Sequence, residues 1–388
     1  MKITVDSKTL ARACATDCKN ILNKPLLPIM SSIHFVVEND VLRLTSTDNE
    51  NWTVHQVPVT CSHLDEESPM AFCIEGKAIT EFLLAIPAQP ITIEVKRVGD
   101  AEFYKASISH SSGKAELPVQ PADEFPIFRQ VESEGSTIQA DLLKRIVSLH
   151  RFAVLGDAEV KPQLTAILLD FKGNTLVTVS TDCQRLVRLE HPDFESEVRQ
   201  VLLHPKCVTL LLPMLDDVLA DKDDMGEVMI RTNGSNICIQ TGKASIYSRM
   251  SEVRYPNYNS VIPPYGYNEK KAVVDRRDLM AAISRAMLFA NSASRLIRFC
   301  FDPDGFVTLE GQDVELSKSS KEKVACTYTD SAPFFIGLNG SLLKELLAHM
   351  TSEQVRFEMK DQSRCVLLFE ENGDTNLLML LVPMMLNC

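Results

Sequence analysis

Apolar and polar positions alternate in the same way at three places along the chain. Ile33, Phe35 and Val37 alternate up to a turn at Asn39-Asp40, and Val41 to Leu44 then runs into Thr45-Ser46-Thr47-Asp48. Ala166 to Phe171 ends at Gly173-Asn174, and Thr175 to Val179 runs into Ser180-Thr181-Asp182. Ile297, Phe299 and Phe301 alternate up to Asp304-Gly305, and Phe306 to Leu309 runs into Gly311-Gln312-Asp313. From Asp40, Asn174 or Gly305 to the closing aspartate is eight residues each time. A period of two broken by Asn, Asp and Gly is the pattern of a β-hairpin.

Each hairpin is followed by a segment of helical period. Ile79, Phe82, Leu83 and Ile86 align with Val208, Leu211, Leu212 and Leu215, and with Leu343, Leu346, Leu347 and Met350. The spacing i, i+3, i+4, i+7 is the buried stripe of an amphipathic helix. Pro213 falls inside the second copy and is expected to end or kink it. Another helix precedes each hairpin, carrying Leu10, Ala13 and Cys14; Leu143, Ile146 and Val147; or Leu279, Ala282, Ile283 and Ala286. Asp6-Ser7 and Asp275 are its natural N-caps in the first and third copies. Further strands follow at Ile91 to Val95, Val228 to Arg231 with Ile237 to Gln240, and Val355 to Met359 with Cys365 to Phe369. The chain is therefore expected to hold three α+β domains, each with two helices on one face of an antiparallel sheet, at 1–131, 132–263 and 268–388. Pro263 to Lys270 reads as a linker.

Composition narrows the function. The 388 residues are 45% apolar and 24% charged, which suits a globular chain. The longest apolar run, Leu377 to Leu386, contains Pro383 and is too short to span a bilayer. The first residues carry no signal-peptide core, so a cytoplasmic location is expected. Eleven cysteines are scattered without ligand spacing, which points to buried free thiols and no zinc site. No Walker A loop, GxGxxG, HExxH or GxSxG occurs, and no organic cofactor is implied. Asp48, Asp182 and Asp313 recur at matched turns, which favours a turn-capping role over catalysis. A net charge of −12 argues against a protein that coats DNA phosphates.

Four segments carry a resemblance. Lys24-Pro25-Leu26-Leu27-Pro28-Ile29, Ser180-Thr181-Asp182-Cys183-Gln184-Arg185-Leu186, Tyr255-Pro256-Asn257-Tyr258 with Val261-Ile262-Pro263, and Val382-Pro383-Met384-Met385-Leu386 resemble, in order and spacing, segments of the bacterial DNA sliding clamps. The resemblance runs from Met1 to Leu386. It implies a head-to-tail homodimer closing a six-domain ring whose helices face duplex DNA. A ring that holds DNA by topology needs only a mildly basic lining, which answers the charge objection. The resemblance assigns that lining to Lys8, Arg12, Lys19 and Lys24, to Lys144, Arg145, Arg151 and Lys206, and to Arg276, Arg277 and Arg285. A non-catalytic processivity subunit follows, with a non-DNA peptide-binding scaffold, or a cleft-bearing hydrolase, as the alternatives.

The same resemblance implies a cleft between the second and third domains for short peptides of the type Gln-Leu-x-Leu-Phe. The polymerase alpha subunit, clamp loader, translesion polymerases, mismatch-repair proteins and ligase would present them. Its residues would be Leu164, Thr181, Cys183, Gln184, Arg185 and Leu186; Pro256, Ser260, Val261 and Cys365; and Leu380, Leu381, Val382, Pro383, Met384, Met385 and Leu386. Cys183-Gln184 replaces the Gly-His of the common motif, Ser260 and Met385 stand where arginines are usual, and Asn387-Cys388 extends the usual end. The rim thus loses positive charge, and an altered peptide preference is expected. At the dimer interface the resemblance places Leu288 and Phe289 against Leu117, with Ile108 the alternative to Leu117.

Overall fold

The computed structural model describes residues 1–63, 70–97, 104–128, 130–156, 161–250 and 253–386, so Asn387 and Cys388 lie outside the described residues. Six helices lie where the apolar period places them: α1 (Ser7–Asn20), α2 (Gly76–Ala85), α3 (Ala140–His150), α4 (Pro205–Ala220), α5 (Arg276–Met287) and α6 (Gly340–Ala348). The first and fifth start at the expected caps: Asp6 accepts from Thr9 N at 2.8 Å and Asp275 from Asp278 N at 2.9 Å. Each carboxylate satisfies an amide that the first helical turn leaves open.

Pro213 does not end its helix, which continues to Ala220. An internal proline costs a helix about 3 kcal/mol. Here Leu210, Leu211, Met214, Leu215 and Val218 are all buried around it, and their burial offsets that cost.

The chain forms two compact units: Met1–Arg145 with Leu203–Glu252, and Ile146–Leu202 with Val253–Cys388. The middle repeat is divided between them. In the first unit thirteen described strands join edge to edge, because strand Asn51–Pro58 of the first repeat pairs antiparallel with strand Ala244–Arg249 of the second. In the second unit twelve strands join in the same way, because Arg185–Pro192 of the second repeat pairs antiparallel with Leu377–Leu381 of the third. Edges that would otherwise stand open are thereby covered.

Helices α1 and α2 bury Leu10, Cys14, Ile79 and Leu83 against Phe35 and Phe72. Helices α5 and α6 bury Leu279, Ile283, Leu343 and Leu347 against Phe299, Phe301 and Phe357. Where the first helix of each repeat meets the hairpin, the three copies differ. Asp17 of α1 accepts from Ser46 at 3.4 Å and Thr53 at 2.5 Å, and contacts His55 at 3.0 Å. His150, ending α3, bonds Ser180 at 2.9 Å and Thr178 at 2.8 Å. At the matching place in the third repeat Gly311 meets α5 directly, and a Cβ there would collide with the Ala286 carbonyl oxygen.

Candidate functional site

The repeated aspartates cap turns. Asp48 Oδ1 accepts from Glu50 N at 3.0 Å and Asn51 N at 2.7 Å; Asp182 Oδ1 accepts from Gln184 N and Arg185 N, both at 2.9 Å. Asp313 Oδ1 accepts from Leu316 N at 3.2 Å. In the second unit this turn sets the start of strand Arg185–Pro192. Cys183 takes φ 72° to make the bend, a conformation that costs a non-glycine residue roughly 1 kcal/mol. Its exposed thiol lies 3.6 Å from Lys161 Nζ.

Alternation along the paired strands then divides the candidate residues between two faces. Leu186 and Leu380, directly opposite each other, join Leu164, Tyr255, Tyr258 and Leu367 in one apolar cluster, with Leu155 and Cys365 half-buried at its margin. Around it Pro256 is exposed, as are Ser260 and Val261 on the one-turn segment Tyr258–Val261, and Ser260 Oγ donates to Asn257 O at 2.7 Å. Val382 N donates to Gln184 O at 2.8 Å and Met384 N to Gly337 O at 2.8 Å, which carries Val382 to Leu386 alongside. Pro383, Met384 and Leu386 are half-buried there, and Met385 is 77% exposed. Thr181 Oγ1 donates to Arg185 O at 2.6 Å, closing the turn, and Gln184 is exposed beside it.

Arg185 and Leu381 point the other way, into the side of the sheet that α5 and α6 cover. Leu381, with Val187 and Leu189, belongs to that helix-side core. The Arg185 guanidinium is buried: Nε donates to Asp182 Oδ2 at 3.0 Å, NH1 to Glu345 on α6, and NH2 to Phe152 O at 2.6 Å. It also lies over the Phe152 ring, 5.0 Å from its centre, and that ring stacks on His349 at 3.8 Å. As placed, these two side chains hold the second and third repeats together and do not join that apolar cluster.

Tyr255, Tyr258 and Leu367 of the cluster were not among the candidates, and three further neighbours escaped the sequence reading. Leu155, which closes one side of the cluster, follows α3 in a stretch without period. Lys161 restores one cation beside the altered rim. Gly337 lets the C-terminal segment lie close: a Cβ would be 2.6 Å from Met384 O and 2.9 Å from Leu386 Cδ2. A glycine inside the strand Phe334–Asn339 was the one available sign of that approach.

The basic candidates divide as well. Lys8, Lys19 and Lys24 in the first unit and Arg151 and Arg277 in the second are exposed. Arg12 pairs with Asp217 at 3.8 Å, Lys144 with Asp216 at 2.6 Å and Arg285 with Glu322 at 2.7 Å. Pairs this exposed are worth about 0–1 kcal/mol, so a phosphate could replace the carboxylate. Arg145 is exposed, and Lys206 Nζ donates to Lys19 O at 2.6 Å. Arg276 serves the fold itself, because Nε donates to Ser352 O at 2.7 Å and NH1 to Leu347 O at 3.1 Å, capping the end of α6.

At the candidate interface Leu288 is 75% exposed and Phe289 is 39% exposed after α5, while Leu117 packs half-buried on the first core and Ile108 lies fully inside it. Among the described residues no group of three His, Cys, Asp or Glu side chains could hold a metal ion, and no helix is long and apolar enough to cross a membrane.

Comparison with known proteins covers nearly the whole chain. Family models for the DNA polymerase III beta subunit match residues 1–129 (N-terminal domain), 137–257 (central domain) and 259–385 (C-terminal domain). The curated beta sliding clamp of Pseudomonas aeruginosa is 27% identical over 378 residues, 96% of this chain and 97% of that protein. That of Escherichia coli K12 is 26% identical over 389 residues, covering all of both chains. The crystal structure of the P. aeruginosa subunit superposes with a TM-score of 0.87 at 26% identity, covering all of both chains. A P. aeruginosa clamp bound to griselimycin superposes at 0.88, again at 26% identity and with all of both chains covered.

Proposed function

Because the chain belongs to the family of the DNA polymerase III beta subunit, the non-catalytic sliding clamp of DNA replication, we propose that two copies close head to tail around duplex DNA and tether partner proteins through the cleft of the second unit. The clamp domains would fall at 1–131, 132–263 and 268–388, and the ring would work in the cytoplasm. The observation that carries the reading is the match of family models along the chain, and the apolar cluster where the second repeat pairs with the third supports the cleft. Leu164, Leu186 and Leu380 form its floor. Pro256, Val261, Cys365, Val382, Pro383, Met384, Met385 and Leu386 rise around it, and Thr181, Cys183, Gln184 and Ser260 make the polar rim.

An apolar floor with a polar rim suits a short extended peptide with two or three anchoring side chains. Methionine repacks easily, which suits several partners. Those partners are the polymerase alpha subunit, clamp loader, translesion polymerases, mismatch-repair proteins and ligase. The exposed cations Lys8, Lys19, Lys24, Arg151 and Arg277 would face the phosphates. Arg12, Lys144, Arg145, Lys206 and Arg285 would assist them. Leu288 and Phe289 of one protomer would meet the Leu117 region of the other.

The direct test is fluorescence anisotropy with a labelled Gln-Leu-x-Leu-Phe peptide. Saturable binding that weakens at least roughly tenfold (about 1.4 kcal/mol) in Leu186→Ala plus Met384→Ala supports the cleft; equal affinity of the variant refutes it. The ring is tested by retention on closed circular DNA. Joint Lys8→Ala, Lys19→Ala and Arg277→Ala substitution should shorten retention, and unchanged retention would remove these residues from the lining.

A further inference from the structure

The first unit repeats the backbone of the cleft at its own junction. Asn49 takes φ 73° where Cys183 takes 72°. Trp52 stands opposite Tyr247 as Leu186 stands opposite Leu380. Arg249 N donates to Glu50 O at 3.0 Å, as Val382 N does to Gln184 O at 2.8 Å. Phe125-Pro126-Ile127-Phe128 precedes the second repeat in sequence as Tyr255-Pro256-Asn257-Tyr258 precedes the third. Between these elements lies a cavity of about 700 Å³ bounded by Trp52, Phe128 and Tyr247.

We propose that this groove is a second peptide-docking site, taking an extended segment that carries a Leu or Phe anchor beside an acidic residue. It rests on the cleft reading for the analogy and on its own side chains for the chemistry. Phe128 stacks on Tyr247 at 4.0 Å and Trp52 Nε1 donates to Pro126 O at 3.1 Å, so the aromatic walls are already fixed in place. Rings so held offer faces and edges to an apolar anchor at low entropic cost. Ile127, 86% exposed, adds aliphatic surface at the mouth.

Asn49, Ser235 and Asn236 along the lining can bond a peptide backbone. Among the described lining residues Arg249 is the one charged side chain, and it is exposed. A lone guanidinium at the rim recognises a carboxylate and repels a basic segment. The groove therefore prefers acidic segments, whereas the cleft of the second unit has an aliphatic floor.

The chain's single tryptophan is Trp52, so its emission reads this groove alone. The experiment titrates the intact protein with the tryptophan-free peptide acetyl-Glu-Leu-Asp-Leu-Phe-amide, following Trp52 emission, while anisotropy of a labelled copy follows total binding. The expected result is a saturable emission change that persists in Leu186→Ala plus Met384→Ala and is roughly fivefold weaker in Arg249→Ala. An emission change with no cleft-dependent binding keeps this groove and refutes the cleft. A silent Trp52 overturns the proposal, as does a response that vanishes with the cleft variant.

Discussion

The two junctions share a backbone and differ in what lies beneath it. In the second unit the turn leads to Arg185, whose guanidinium reaches Asp182, Glu345 and the Phe152 carbonyl. In the first unit the matching residue is Asn51, which donates to Asp48 at 3.1 Å and accepts from Ser248 at 2.6 Å, while Asn20 donates to its carbonyl at 2.9 Å. The long cation ties a strand to a helix of another repeat; the short amide ties only the strands and α1. Above the same turns one face is aliphatic, with Leu186 and Leu380, and the other aromatic, with Trp52 and Tyr247. Main-chain hydrogen bonds fix where a groove can form, and side chains decide how firmly its walls are joined and what it accepts.

Removing the two residues should break this comparison unequally. Arg185→Ala leaves Asp182, the Phe152 carbonyl and a buried void without their partner. Loss of one member of a buried ionic network costs about 3–5 kcal/mol, and the low end applies because Glu345 is 53% exposed. Asn51→Ala removes the bonds to the Asp48 carboxylate and from Ser248 and should cost about 1–3 kcal/mol. Denaturant melts of both variants check the order, and equal losses would mean that the Arg185 network contributes no more than the amide.

The site where first helix meets hairpin sharpens the comparison. The first and second repeats fill it with Asp17 or His150 and a serine, the third with Gly311 against bare backbone. Gly311→Ala forces a Cβ into the Ala286 carbonyl, an overpacking that costs about 2 kcal/mol. Ser46→Ala and Ser180→Ala introduce no clash; the first loses its bonds to Asp17 and Thr53 and the second its bond to His150, about 1 kcal/mol per bond. Thermal unfolding of the three variants reads the difference.

Much of this was legible in the sequence. Six helices and three hairpins follow from period and turn chemistry, because each buries one stripe or one face. Leu186 stands in a motif of the resemblance, Leu164 and Leu380 were carried over with it, and the three meet in one apolar cluster. Sheet pairing between repeats was not legible: nothing in Ala244–Arg249 names Asn51–Pro58 as its neighbour, and so the division of the middle repeat between two compact units was invisible. Arg185 and Leu381 were grouped with Leu186 and Leu380 because a motif names residues without naming faces, and alternation along a strand sends neighbours to opposite sides. Pro213 was expected to end or kink its helix, and it does not end it, because burial of the residues around it holds the helix to Ala220.

A further difference between the first two repeats concerns protons where the first helix meets the hairpin. Burial, with a lesser repulsion from His191, pushes the His150 pKa down to about 3. A histidine held neutral in the fold stabilises fully above its unfolded value of 6.5, and loses that contribution as pH falls from 6.5 toward 3. At pH 5.5 the loss is about 1.4 kcal/mol. Against His150→Gln, which does not titrate, the stability advantage of the unaltered protein should shrink by that amount between pH 7.5 and 5.5.

His55 should behave with the opposite sign. Burial alone would lower its pKa, but the charge and hydrogen bond of Asp17 outweigh burial and raise it. Its contribution is present below 6.5 and is lost as pH rises through the raised value, so the advantage over His55→Gln should grow on acidification. Amide hydrogen exchange in strand Thr175–Thr181 for the first variant, and in strand Asn51–Pro58 for the second, separates the two responses. Parallel pH slopes for the two histidines would show that the two repeats do not differ at this site in the protonation they hold.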